Sequence, residues 1–90
     1  MWRYLDYEKQ ENGFMSFDLT AENIKANKGK RICYVRSADI DRERGYVFVR
    51  HARIHSKRYS RLLLNNGDDS IDIRDVLECG IEQTITPNSG

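Results

Sequence analysis

The residues of this chain with the most chemistry to offer are cationic and lie together in its middle third. Between Lys28 and Arg61 eleven Lys and Arg stand against only Asp39, Asp41 and Glu43, a net charge of +8, whereas residues 1–27 carry −2 and residues 62–90 carry −5. The whole-chain charge of +1 conceals that separation. Segregated charge of one sign is the sequence-level signal for a polyanionic or acidic partner, because it makes a field that interspersed counter-charges would cancel. On a strand, Arg53, His55 and Lys57 share one face by alternation and line up a cationic stripe, with Arg50, Arg58 and Arg61 close by in sequence. The competing account pairs these cations with the acids of the two ends, and each such surface pair contributes only about 0–1 kcal/mol.

Arg44-Gly45-Tyr46-Val47-Phe48-Val49 resembles the signature strand of the RNA recognition motif, in which aromatics at alternate positions stack on splayed bases while a basic group holds phosphate. It departs from that pattern at Val47 and His51. The motif also requires a second amphipathic helix, and the stretch from Arg53 to Arg61 lacks the apolar period of one, so the chain is not read as a member. Tyr46, Val47, Phe48 and Val49 are then expected to fill both sides of a central strand.

Other constellations fail on spacing. Asp39-Ile40-Asp41-Arg42-Glu43 places carboxylates at alternate positions as a calcium loop does, but the bending glycine comes one residue late and the closing position is Arg50. Arg42 and Arg44 are better read as ion-pair partners in a surface turn. His51 and His55 on one strand would stand about 13 Å apart, too far to share a metal. Ser56 and Ser60 lie near His55 with no orienting acid or oxyanion hole signalled beside them. No catalytic residue, metal site or cofactor is therefore expected, and the chain is read as non-enzymatic. Cys33 and Cys79 have no metal-binding spacing and are expected as small buried hydrophobes in a reducing compartment, a disulfide being open only if their strands are neighbours.

The elements that must position these residues are short. Ninety residues make a single domain with a small core, and 39% hydrophobic with 32% charged residues is globular composition. No apolar stretch nears the roughly 18 residues of a membrane span, and the start lacks the pattern of a signal peptide, so a cytoplasmic location is expected. Trp2–Tyr7 and Phe14–Leu19 flank Asn12-Gly13 and suggest an N-terminal β-hairpin. Thr20 can cap a short helix that Gly29 ends. From Arg31 onward short strands alternate with turn signals: 31–36, a long strand over 45–54 with room for a bend partway, a third over 59–64, a tight turn at 65–68, and a fourth over 70–73. One helical turn near Arg74 and Asp75 before a last strand looks like the closing of SH3-like small barrels, a likeness of architecture that covers roughly 29–82.

The sequence thus leads to a mainly β (α+β) fold: a small, partly open SH3-like barrel over 29–82, with an N-terminal hairpin and one short helix (1–28) packed on it in a single domain 1–83, and a flexible tail 84–90. The expected function is binding of RNA or DNA through Arg44, Tyr46, Arg50, Arg53, Lys57, Arg58 and Arg61. The alternative is a protein-interaction or inhibitory module of phage or mobile-element type. It would use the polarised surface, including the acids Asp68, Asp69, Asp72, Asp75, Glu78 and Glu82, to hold a charged protein partner. Homodimerisation through opposite faces is open.

Overall fold

A computed structural model describes residues 4–83, so the expectations for Trp2, Arg3 and 84–90 lie outside the described residues. The strands are β1 (Phe14–Ser16), β2 (Arg31–Arg36), β3 (Ile40–Asp41), β4 (Tyr46–Val47), β5 (Arg50–Arg58), β6 (Arg61–Leu64), β7 (Asp69–Asp72) and β8 (Val76–Glu82), with one helix, α1 (Ala21–Ala26). Six strands form an antiparallel sheet in the order β1-β8-β2-β5-β6-β7, while β3 and β4 make a separate ribbon. The fold is mainly β with one helix, as the turn-rich sequence implies. Its terminal strands β1 and β7 do not pair with each other, so the sheet does not close into a barrel.

β2 is central because Ile32, Cys33, Tyr34 and Val35 are apolar on both of its faces, and all four are buried. On one face Ile32 and Tyr34 join Ile54, Leu62, Leu64, Ile71, Cys79 and Ile81 in the main core, which Ile24 of α1 caps. On the other, Cys33 and Val35 lie under Leu5, Tyr4, Tyr7 and Phe14 from the N-terminal segment, Ile40 and Val47 from the ribbon, and Val49 between the ribbon and β5. Tyr34 and Cys79 are register partners in one core, whereas Cys33 faces the other, so the two thiols stand on opposite sides of the sheet and stay free. Adjacent strands do not suffice for a disulfide when the side chains diverge.

Local chemistry explains the connections. Thr20 Oγ1 accepts from Asn23 N at 3.1 Å, and the backbone after the helix turns through Gly29 at φ 90°. Asn65, Asn66 and Gly67 all take positive φ and return β6 into β7. Asp72 caps a single 3-10 turn at Ile73–Asp75 by accepting from Arg74 N at 2.9 Å, and β8 then returns to pair with β2.

Three expectations need correction. The N-terminal hairpin does not form among the described residues: Asp6 accepts from Glu8 N and Lys9 N, its carbonyl accepts from Gln10 N and Glu11 N, and the chain turns there before reaching Asn12-Gly13. Phe14–Ser16 pairs instead with Gly80–Glu82. The long strand expected over 45–54 is broken at Phe48 and Val49, so Tyr46 belongs to the ribbon and Arg50 to the main sheet. Tyr59, expected inside a strand, is one of two loop residues between β5 and β6.

Candidate nucleic-acid interface

The sequence-expected residues fall into two groups on different elements. Arg44, Tyr46 and Arg50 lie on or beside the β3–β4 ribbon, and two of the three are already engaged. Arg44 caps Asp41, donating from its backbone N at 3.0 Å with the guanidinium 3.7 Å from the carboxylate. Arg50 Nε donates to Asp39 at 3.0 Å, and Arg36 donates to the same carboxylate through Nε and Nη2 at 3.1 and 3.2 Å. The Asp39 side chain is only 3% exposed. Burial pushes its pKa up, but hydrogen bonds from the Arg36 side chain and backbone and from Arg50 outweigh that and hold it at about 2. Tyr46 and Phe48 are about half exposed, because Val47 and Val49 take the inward positions in the second core. The expectation that all four fill a central strand is thus corrected: the valines pack and the aromatics face out.

The second group surrounds the β5–β6 hairpin. Cross-strand partners share a face, so the pairing of Arg31 with Arg53 and of Arg58 with Arg61 puts all four on the side opposite the main core. A bulge between Ile54 and Ser56 breaks the simple alternation. Beyond it Lys57 lies opposite the buried Leu62, so Lys57 does not share the face of Arg53 as the strand period implied. Its Nζ instead donates to Tyr59 O at 2.6 Å, which brings the ammonium to the hairpin tip. Arg61 Nε and Nη2 donate to Ser70 Oγ at 3.2 and 2.9 Å, and Arg53 Nη1 donates to Gly29 O at 3.0 Å. These neutral acceptors orient the guanidinium groups, although Asp72, the cross-strand partner of Arg61, offsets part of the Arg61 charge from beyond ion-pair distance. Among the described residues no carboxylate lies within ion-pair distance of Arg53, Lys57, Arg58 or Arg61.

At the tip stands Tyr59, 88% exposed and at φ 57°. An aromatic residue at positive φ is uncommon and costs roughly 1–2 kcal/mol against its relaxed backbone. The ring is presented to solvent among Lys57, Arg58 and Arg61 and packs into neither core cluster. Sequence reasoning missed this residue because β-propensity placed it inside a strand; Arg31, visible as a charge, was missed because its register against Arg53 was not.

His51 Nε2 is 3.9 Å from Glu11 Oε1 with its ring edge-on to Phe14, and His55 Nδ1 shares a 2.9 Å hydrogen bond with Ser56 Oγ. Among the described residues no three His, Cys, Asp or Glu side chains are grouped so as to hold a metal ion, and no helix is long and apolar enough to cross a membrane. Comparison with protein-family models, with curated proteins and with solved structures gave no match.

Proposed function

We propose that this chain is a non-enzymatic binding module that holds RNA or DNA on the outward face of its β5–β6 hairpin. The observation that carries the reading is the hairpin tip, where an exposed aromatic at positive φ stands among three cations with no acidic neighbour in ion-pair range. Arg53 and Arg31 extend the charge along the sheet toward β2. An aromatic face stacks on any base and fixed guanidinium groups take phosphate oxygens, which is the division of labour of sequence-tolerant single-strand binding. The original set of site residues is thereby reduced to Arg53, Lys57, Arg58 and Arg61 and enlarged by Tyr59 and Arg31; Arg44, Tyr46 and Arg50 belong to a different region. An SH3-like relationship is part of the proposal, supported by the order β8-β2-β5-β6-β7 and by the 3-10 turn before the returning last strand. The free thiols Cys33 and Cys79 fit a reducing compartment.

The test is fluorescence anisotropy with single-stranded and duplex oligonucleotides at several ionic strengths. Four cationic contacts give a slope of log K against log salt near −3 on a single strand. Tyr59→Asn keeps a residue that tolerates positive φ and removes the ring, and should weaken single-strand binding by about 1–3 kcal/mol with no loss of stability. A salt-independent affinity, or a Tyr59→Asn variant that binds like wild type, removes the reading. A second reading is favoured by the open edge of β7 with Asp68, Asp69 and Asp72: a basic protein partner, or a second copy of this chain, whose binding survives nuclease treatment and is lost on neutralising those acids.

A further inference from the structure

The face of the sheet opposite the cationic wall holds a cavity of about 530 Å³ between the start of β5 and the β6–β7 hairpin. That volume lies within the range of small-molecule sites. Ala52, Leu64 and Ile71 give it apolar lining; its polar groups are Tyr34, Arg36, Arg50 and His51 from β2 and β5, and Asn65, Asp69 and Ser70 from the β6–β7 hairpin.

Tyr34 lines the cavity while only 6% exposed, and among the described residues nothing hydrogen-bonds its hydroxyl. A buried hydroxyl without a partner is costly and calls for an explanation. Burial raises its pKa against the opposing pull of Arg36 and Arg50, so it stays a donor. Beside it, Arg50 is fixed twice over: Nε donates to Asp39 at 3.0 Å, and the guanidinium lies 4.9 Å above the Phe48 ring. Both restraints leave its two Nη groups without an acceptor among the described residues, a fork that is already oriented. Arg36 and Arg50 share the single charge of Asp39, so this wall is net positive. Asp69 also lines the cavity, with Oδ2 accepting from Asn65 Nδ2 at 2.8 Å and Oδ1 free to accept.

We propose that this cavity is a nucleotide site, with phosphate on the Arg50 fork and the Tyr34 hydroxyl, and with the donor groups of sugar or base toward Asp69. A compact anion alone would use the fork and leave the apolar lining and Asp69 idle. A purely apolar ligand would leave three polar groups unmatched. A nucleotide supplies an oxyanion, a flat body and hydrogen-bond donors in one molecule. The source is either free nucleotide or the terminal nucleotide of a strand, and the site stands whether or not the outer wall binds nucleic acid.

The experiment is a titration of the 15N-labelled protein with uridine monophosphate, uridine, inorganic phosphate and leucine, followed by backbone amide shifts. Uridine monophosphate should give saturable shifts at Tyr34, Arg50 and residues 69–71, with the other three probes binding at least about tenfold more weakly. A 5′-phosphorylated trinucleotide that competes for the same amides identifies a strand end as the source; one that does not identifies free nucleotide. Tyr34→Phe and Arg50→Lys should each weaken uridine monophosphate about tenfold, by loss of a hydrogen bond to a charged group. Tyr34→Phe should melt no lower than wild type, which separates a ligand role from a structural one. Lys25→Ala, on the helix, controls for net charge and should change nothing. The inference is overturned by the absence of saturation at about 10 mM, by shifts confined to residues 53–61, by phosphate or leucine matching the nucleotide, or by Tyr34→Phe binding like wild type.

Discussion

Asp39 is the residue on which the ribbon depends. Its carboxylate joins Arg36 at the end of β2 to Arg50 at the start of β5, and it sits in a peptide stretch whose alternating acids give no hint of burial. Because its folded pKa of about 2 lies below the unfolded value of 3.8, the stabilisation is present above about pH 4 and is lost as pH falls through 2. The shift corresponds to about 2 kcal/mol. Asp39→Asn should therefore lower urea-derived stability at pH 7 by about 2–4 kcal/mol, since it also strands two guanidinium groups, and should flatten the loss of stability between pH 4 and 2. The cysteines make a second case at this scale. Burial first, and the nearby Glu11 next, push the Cys33 thiol up to about 12, and burial also raises Cys79. Both should resist alkylation at pH 8 in the native protein and react together once urea unfolds it; rapid native labelling of either would contradict the packing.

The elements are held to one another by close approach more than by length. Gly80 on β8 is the clearest example: a Cβ there would stand 2.7 Å from the Tyr7 ring, 3.1 Å from Cys33 Sγ and 3.3 Å from Met15 O. The glycine lets the N-terminal segment lie flat on the sheet, where Glu78 Oε1 accepts from Tyr4 N and from Leu5 N, the latter at 3.0 Å. Gly80→Ala should cost about 1–3 kcal/mol in denaturant unfolding and release Tyr7 to solvent, read by quenching of tyrosine fluorescence. This is also the level at which sequence reasoning stopped working. The helix, its Thr20 cap, β2 and the Asn65–Gly67 turn were legible because a local signal specifies each of them. The pairing of β1 with β8 was not, because Asp6 forms its turn before Asn12-Gly13 can close a hairpin, and no local residue records a partner so distant in sequence. A one-residue bulge in β5 likewise moved Lys57 off the expected face, which the simple period of two could not foresee.

At the scale of the molecule, the charge separation seen in sequence survives folding only in part. The carboxylates of residues 39 and 41 draw in Arg36, Arg50 and Arg44, and the wall that remains is Arg31, Arg53, Arg58 and Arg61 with Lys57 at its tip. A charge count cannot distinguish these two sets; register and burial can. Replacing Arg58 and Arg61 together by Glu should at least halve the salt slope for oligonucleotides, while Arg44→Glu should leave it near wild type, checked by anisotropy at 50 and 200 mM salt with at least about a tenfold affinity loss expected for the pair at the lower salt. Equal effects from both variants would mean that only net charge matters.

The position of β8 between β1 and β2 also governs when the molecule can exist during synthesis. The first inner strand emerges with Ile32 and Tyr34 lacking their β8 partners and must wait 45 to 49 residues for Cys79 and Ile81, roughly two to ten seconds at ordinary ribosomal speeds. During that interval the nascent chain carries its stickiest surface exposed, and slowing elongation within β5 to β7 should lower soluble yield more than the same delay placed before β2.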